Sequence, residues 1–306
     1  MAKVAFIYPG QGSQQAGMGA ELLTDPEVSD LCDRCSQSAD VDLRRLLTTT
    51  GEDELRLTQN AQPALCFMGI GLTVMLRRHG IQPVAAAGHS VGEYTALAVS
   101  GAVSAHQVIK AVAERGKAMA EAAPAGTSSM AAVLGLDAQA VGVALAGMND
   151  AWPANYNTPT QTVIAGTTAG LVAATKRLQA AGAKRVIPLN VSAAFHTPLM
   201  APAAARLRAA LDRIEWHAPR IPVMANLTGR PHQGGDRIPH VMEQQLRSPV
   251  LWAACVGTLV DMECHTFVEV GPKRALSGMM KELAPTANAV AVGTPEAVMQ
   301  LSLIHI

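Results

Sequence analysis

The chain has 306 residues, with 24 Lys and Arg balanced by 24 Asp and Glu. Hydrophobic residues make up 49% of it, which excludes intrinsic disorder; the length allows one large domain, or a large one with a smaller companion. Zero formal charge and 16% charged residues weigh against a general nucleic-acid or anionic-membrane binder, and no run approaches the ~18 apolar residues of a membrane span.

Residues 3–8 form a short apolar run stopped by Pro9-Gly10, which reads as a buried strand and is too short for a secretion signal. Residues 11–19, rich in Gly, Gln and Ser, make a loop. Helical patterns cover 28–39 and 63–79, the second closed by Gly80. A strand at 84–88 precedes helices at 91–100 and 105–122, and Pro124-Ala125-Gly126 breaks the pattern. Strands then follow at 128–135, 152–157, 161–166 and 184–190, with helices at 137–148 and 171–181. That β-α-β-β-α-β order is the ferredoxin-like arrangement.

Beyond Ser192-Ala193 come helices at 201–213, 240–246 and 252–262, and strands at 221–226 and 266–270. The last strand runs into Gly271-Pro272, and a helix begins near Arg274. Alternating strands and helices predict an α/β fold with a mainly parallel sheet covered on both faces. The expected organisation is a large subdomain, 1–126 and 192–306, interrupted by a small one at 127–191. Leu301 to Ile306 take no part in this scheme. The five Cys, an odd number, predict reduced thiols in a soluble cytoplasmic protein. Cys32-x-x-Cys35 has no second pair and no neighbouring histidine, so metal or redox use is not expected.

Gly88-His89-Ser90-Val91-Gly92 is a G-x-S-x-G between a strand and a helix. A sharp strand-to-helix turn holds a serine Oγ exposed, and small residues at −2 and +2 let the backbone crowd there. The helix N-terminus beneath offers free N–H groups to a developing oxyanion. Ser90 is therefore the candidate nucleophile. Its base is less legible among nine histidines. His89 points off the other side of the turn, which fits an orienting role. His196 lies on a loop between elements, and position alone does not separate it from an ordinary surface histidine. The loop Pro9-Gly10-Gln11-Gly12-Ser13-Gln14 lacks a nucleotide P-loop ending; it either supplies a second oxyanion N–H or is simply a tight turn. Arg115 is an ordinary solvated helical arginine unless the substrate carries a carboxylate, which a guanidinium binds in a fork.

Six motifs occur in order: Tyr8-Pro9-Gly10-Gln11-Gly12-Ser13-Gln14, Gly88-His89-Ser90-Val91-Gly92-Glu93-Tyr94, Arg115-Gly116-Lys117, Ala194-Phe195-His196, Gln244-Gln245-Leu246-x-Ser248-Pro249-Val250 and Glu269-Val270-Gly271-Pro272. The chain resembles malonyl-CoA:acyl carrier protein transacylases over nearly its whole length. The resemblance implies an α/β-hydrolase-like large subdomain with a ferredoxin-like insertion. It implies that Ser90 is acylated, that His196 is its base, and that the Gln11 and Val91 N–H groups form the oxyanion hole. Arg115 would clamp the malonyl carboxylate, and the Gln245 carbonyl would orient the histidine. Malonyl-CoA would be the substrate and acyl carrier protein, through its phosphopantetheine thiol, the partner. No bound cofactor, metal, nucleic acid or membrane is implied.

The Ala-Phe-His form is similar to that of malonyl-selective members. Tyr8, Val91, Thr197 and Lys273 stand where Phe, Leu, Ser and Gly are common, and the tail from Leu301 does not resemble the family's ending. Rival readings are a serine thioesterase or hydrolase on the same elbow, the malonyl transferase of a malonate decarboxylase complex, and a non-catalytic carrier-docking protein.

Overall fold

Short apolar segments spread along the chain meet as neighbours in one sheet. A computed structural model describes residues 3–122, 126–191 and 193–303; the Pro124-Ala125 break, Ser192 and residues 304–306 lie outside them. The described residues hold β1 (Val4–Tyr8), β2 (Ala85–Gly88), β3 (Ser128–Leu134), β4 (Ala151–Thr158) and β5 (Gln161–Thr167). They continue with β6 (Arg185–Pro188), β7 (Val223–Met224), β8 (Thr266–Val270) and β9 (Asn288–Val292). The first sheet runs β7-β2-β1-β8-β9, with every pair parallel.

Side chains alternate across this sheet. Phe6, Tyr8, Ala86 and Val268 join one core, and Ala5, Ile7, Ala87 and Phe267 join the other. Both faces are therefore covered, as expected when helical crossovers link parallel strands. The first core includes the helices Thr58–Arg78 and Ala105–Ala122, and the second the helix Trp252–Asp261.

The second sheet runs β4-β5-β3-β6 and is antiparallel throughout, with the helices Ala138–Ala144 and Thr168–Ala180 packed on one face. This is the ferredoxin-like strand order. Its β4 edge is tied to the rest of the protein by Tyr156 N–H to the Val250 carbonyl (2.9 Å) and Val250 N–H to the Ala154 carbonyl (2.8 Å).

Several expectations need correction. The long helix starts at Thr58, not at 63, and carries Pro63 in its second turn. Strand 221–226 shrinks to Val223–Met224, because Pro222 has no N–H to give and Asn226 turns away to other partners. The tail is not idle: Leu301 is buried in the main core on the helix Pro295–Leu303. Cys32 and Cys35 are free, buried packing residues of the helix Pro26–Ala39, and burial pushes their thiols up to about 11 and about 12. No helix among the described residues is long and apolar enough to cross a membrane.

Candidate active site

Strand β2 ends at Gly88, and the chain turns through His89 and Ser90 straight into the helix Val91–Val99. Ser90 sits at φ 54° and ψ −108°, a backbone conformation that costs a non-glycine residue about 1–3 kcal/mol. The flanking glycines follow from crowding. A Cβ on Gly88 would lie 1.9 Å from the Gly92 carbonyl carbon, and one on Gly92 would lie 2.2 Å from the Tyr8 carbonyl oxygen. Asn226, just beyond β7, holds the bend. Its Oδ1 accepts from Ser90 N–H at 2.7 Å, and its Nδ2 donates to the Gly88 carbonyl at 2.7 Å.

The Ser90 hydroxyl faces His196 Nε2 at 2.8 Å, and His196 Nδ1 lies 2.9 Å from the Gln245 carbonyl oxygen. A carbonyl only accepts, so Nδ1 carries the proton and Nε2 turns its lone pair to the serine. His196 is 3% exposed, which removes the surface-histidine reading. Burial first, and the Arg115 charge second, push its pKa down to about 3. The imidazole is thus neutral wherever an ordinary histidine would titrate.

Arg115 is not a solvated helical arginine; it is fully buried. It donates to Gln62 Oε1 at 2.7 Å, to Ser90 Oγ at 3.0 Å and to Gln245 Oε1 at 3.2 Å. Its guanidinium carbon lies 5.5 Å from the centroid of the Tyr94 ring. All three acceptors are uncharged, so a desolvated cation stands beside the serine with no direct anionic partner among the described residues. That arrangement receives an anion well.

Val91 opens its helix, where N–H groups have no intrahelical partner, and Gln11 follows Gly10 in the loop after β1. The Gln11 side chain donates to Thr58 Oγ1 at 3.2 Å. A cleft of about 90 Å³ opens over Ser90 and His196, lined also by Gln11, Met119, Met130 and Phe195. His89 also lines this cleft and donates from Nε2 to Asn157 Oδ1 at 3.0 Å.

Residues 5–298 match the acyl transferase domain. Over 303 residues the chain is 38% identical to the malonyl CoA-acyl carrier protein transacylase of Bacillus subtilis (strain 168), spanning 97% of this chain and 96% of that protein. The chain belongs to the acyl transferase domain family.

Solved structures similar to this acyl transferase include the malonyl-CoA:acyl carrier protein transacylase of Xanthomonas oryzae pv. oryzae. It has a TM-score of 0.93 and 38% identity, with 98% of each chain covered. Another is a malonyl-transacylase in complex with its type II PKS acyl-carrier protein, with a TM-score of 0.92, 36% identity and 98% of each chain covered. Four residues of the acyl transferase site carry no signal in the sequence reading: Gln62, Glu93, Tyr94 and Asn226. Glu93 and Tyr94 stand inside the Gly88–Tyr94 motif, whose spelling implies no role for either. Only the crowding of the elbow, which demands an outside clamp, points toward something like Asn226.

Proposed function

We propose that this acyl transferase moves a malonyl group from CoA to the phosphopantetheine thiol of an acyl carrier protein, by way of a malonyl-Ser90 ester. The observation that carries the reading is the Ser90 hydroxyl shared between a neutral imidazole at 2.8 Å and a buried guanidinium at 3.0 Å. A base and an anion receptor thus converge on one nucleophile. Only a substrate with a carboxylate next to its thioester uses both.

His196 Nε2 takes the hydroxyl proton as Ser90 Oγ bonds to the thioester carbonyl carbon. The carbonyl oxygen becomes an oxyanion, received by the Gln11 and Val91 N–H groups at about 3 kcal/mol per donor. Collapse breaks the carbon–sulfur bond, the imidazolium returns its proton to the CoA sulfur, and malonyl-Ser90 remains. The carrier thiol then enters, gives its proton to His196 and takes the acyl group, and Ser90 recovers its proton.

Arg115 exchanges its contact with Ser90 Oγ for the malonyl carboxylate, which fixes the thioester beside the nucleophile. In this reading residues 127–191 are an insertion that walls the cleft through Met130 and Asn155. CoA and phosphopantetheine arrive with the substrates, the chain is assigned no resident cofactor or metal, and the reaction is placed in the cytoplasm. The Gln245 carbonyl, rather than a carboxylate, at His196 Nδ1 supports a transferase over the hydrolases, which use an Asp or Glu there.

Initial rates with malonyl-CoA and holo acyl carrier protein are expected to give parallel double-reciprocal lines, with free malonate released far more slowly than carrier is charged. Intersecting lines, or malonate formed as fast as malonyl-carrier, would contradict the reading.

The pH dependence follows from the depressed pKa of His196. A base that stays neutral down to about 3 gives Ser90 acylation no acid limb near 6.5, the ordinary value. The same shift makes stability fall as pH drops from 6.5 toward 3, because only the unfolded chain takes up that proton. Rapid-quench acylation with malonyl-CoA should be level across neutral and mildly acidic pH, and an inflection near 6.5 would count against a buried neutral base.

A further inference from the structure

Ser90-Val91-Gly92-Glu93 has the spelling of a helix capping box, in which a Ser at the cap and a Glu three residues on bond each other's backbone N–H groups. The box is not made. Ser90 Oγ faces His196 and Arg115, and Asn226 Oδ1 takes over the Ser90 N–H.

Glu93 is fully buried and turns inward instead. Its Oε2 accepts from Gln245 Nε2 at 2.8 Å and from the Asn226 backbone N–H at 3.0 Å, and its Oε1 accepts from His232 Nε2 at 2.7 Å. Gln245 in turn donates from Nε2 to the Ser90 carbonyl at 3.0 Å, and its Oε1 accepts from Arg115 at 3.2 Å. One amide therefore separates a buried carboxylate from a buried guanidinium.

We infer that Glu93 is a positioning residue that acts through the Gln245 amide as the indirect counter-charge of Arg115, keeping the guanidinium in the cleft with its donors free for an acidic acyl group. This rests on the reading of Arg115 as the carboxylate receptor. A carboxylate bonded directly to Arg115 would occupy the donors that the substrate needs. A carboxylate held one amide away still offsets the cost of a desolvated cation, and it fixes the amide with oxygen toward Arg115 and nitrogen toward Ser90. Glu93 also opposes the substrate carboxylate, but that anion lies beyond the guanidinium. The Glu93 charge also favours the charged guanidinium directly.

Glu93→Gln tests the charge with little change of shape. The new Oε1 can accept from Gln245 and Asn226, and the new amide can donate to His232 in its other tautomer. The readout is the ratio of kcat/KM for malonyl-CoA to that for acetyl-CoA, in the full chain and again in an Arg115→Ala background. Glu93→Gln should lower the ratio about tenfold in the parent and leave it unchanged with Arg115 absent, since the two residues form one unit.

Equal losses on both substrates, an unchanged ratio, or the same fall without Arg115 would overturn the inference. If Glu93→Gln does not fold, Gln245→Met decides instead. It keeps the carbonyl that serves His196 but removes the bridging amide, and an unchanged ratio there would also overturn the inference. An Arg115→Ala ratio equal to the parent's would instead refute the carboxylate-receptor reading itself.

Discussion

Arg115→Ala is expected to lower kcat/KM for malonyl-CoA about a hundredfold and to cost acetyl-CoA far less, so that substrate preference shifts toward the uncharged acyl group. The argument rests on what the guanidinium touches. It is fully buried, and its partners are two amide oxygens and the Ser90 hydroxyl, all neutral. Desolvation without a directly bonded anion is costly and serves nothing in the resting protein beyond a few hydrogen bonds.

On the proposed reading, the cost is recovered when a carboxylate arrives. Acetyl-CoA brings none, so the variant loses for it only what Arg115 contributes to order around Gln62 and Gln245. Competition between the two thioesters, followed by acyl-serine formation, measures the shift directly. Equal losses would make Arg115 a structural residue and remove the case for an acidic acyl group.

His196→Ala is expected to slow Ser90 acylation by about three orders of magnitude, while CoA thioester binding changes little. Among the described residues the Ser90 hydroxyl has two side-chain neighbours, His196 Nε2 and an Arg115 nitrogen, and the second can only donate. No substitute base stands ready once the imidazole is gone. The Gln245 carbonyl orients the ring without adding a negative charge, so the base remains weak enough to release its proton to the departing sulfur. Single-turnover rates with saturating malonyl-CoA would show the loss, and retention of rate within about tenfold would mean that another group takes the proton.

Residues whose own type and neighbours dictate their geometry were legible in the sequence. Gly88 and Gly92 flank Ser90 because no side chain fits there, and apolar runs such as 266–270 are buried on both faces. Residues whose role depends on distant partners were not. Gln62 sits in a helix like many glutamines, and only the fold brings its Oε1 to Arg115 across 53 positions. Asn226 lies just beyond a strand of two residues, and its clamp on Ser90 spans 136 positions.

The short helices Leu43–Thr48 and Glu52–Leu55 are too brief for a period to show, and neither was expected. Strand β9 escaped because it lies at the sheet edge, with only Val292 fully buried. The capping-box spelling at Ser90 and Glu93 misleads for a functional reason: both side chains are drawn away from the helix end into the site.

Intact-mass measurement after exposure to malonyl-CoA tests the central claim most directly. The parent protein should gain one malonyl group, the modified peptide should contain Ser90, and added holo acyl carrier protein should remove the adduct. Ser90→Ala should gain nothing. An adduct that persists in Ser90→Ala, or a parent protein that never acquires one, would contradict the acyl-serine account.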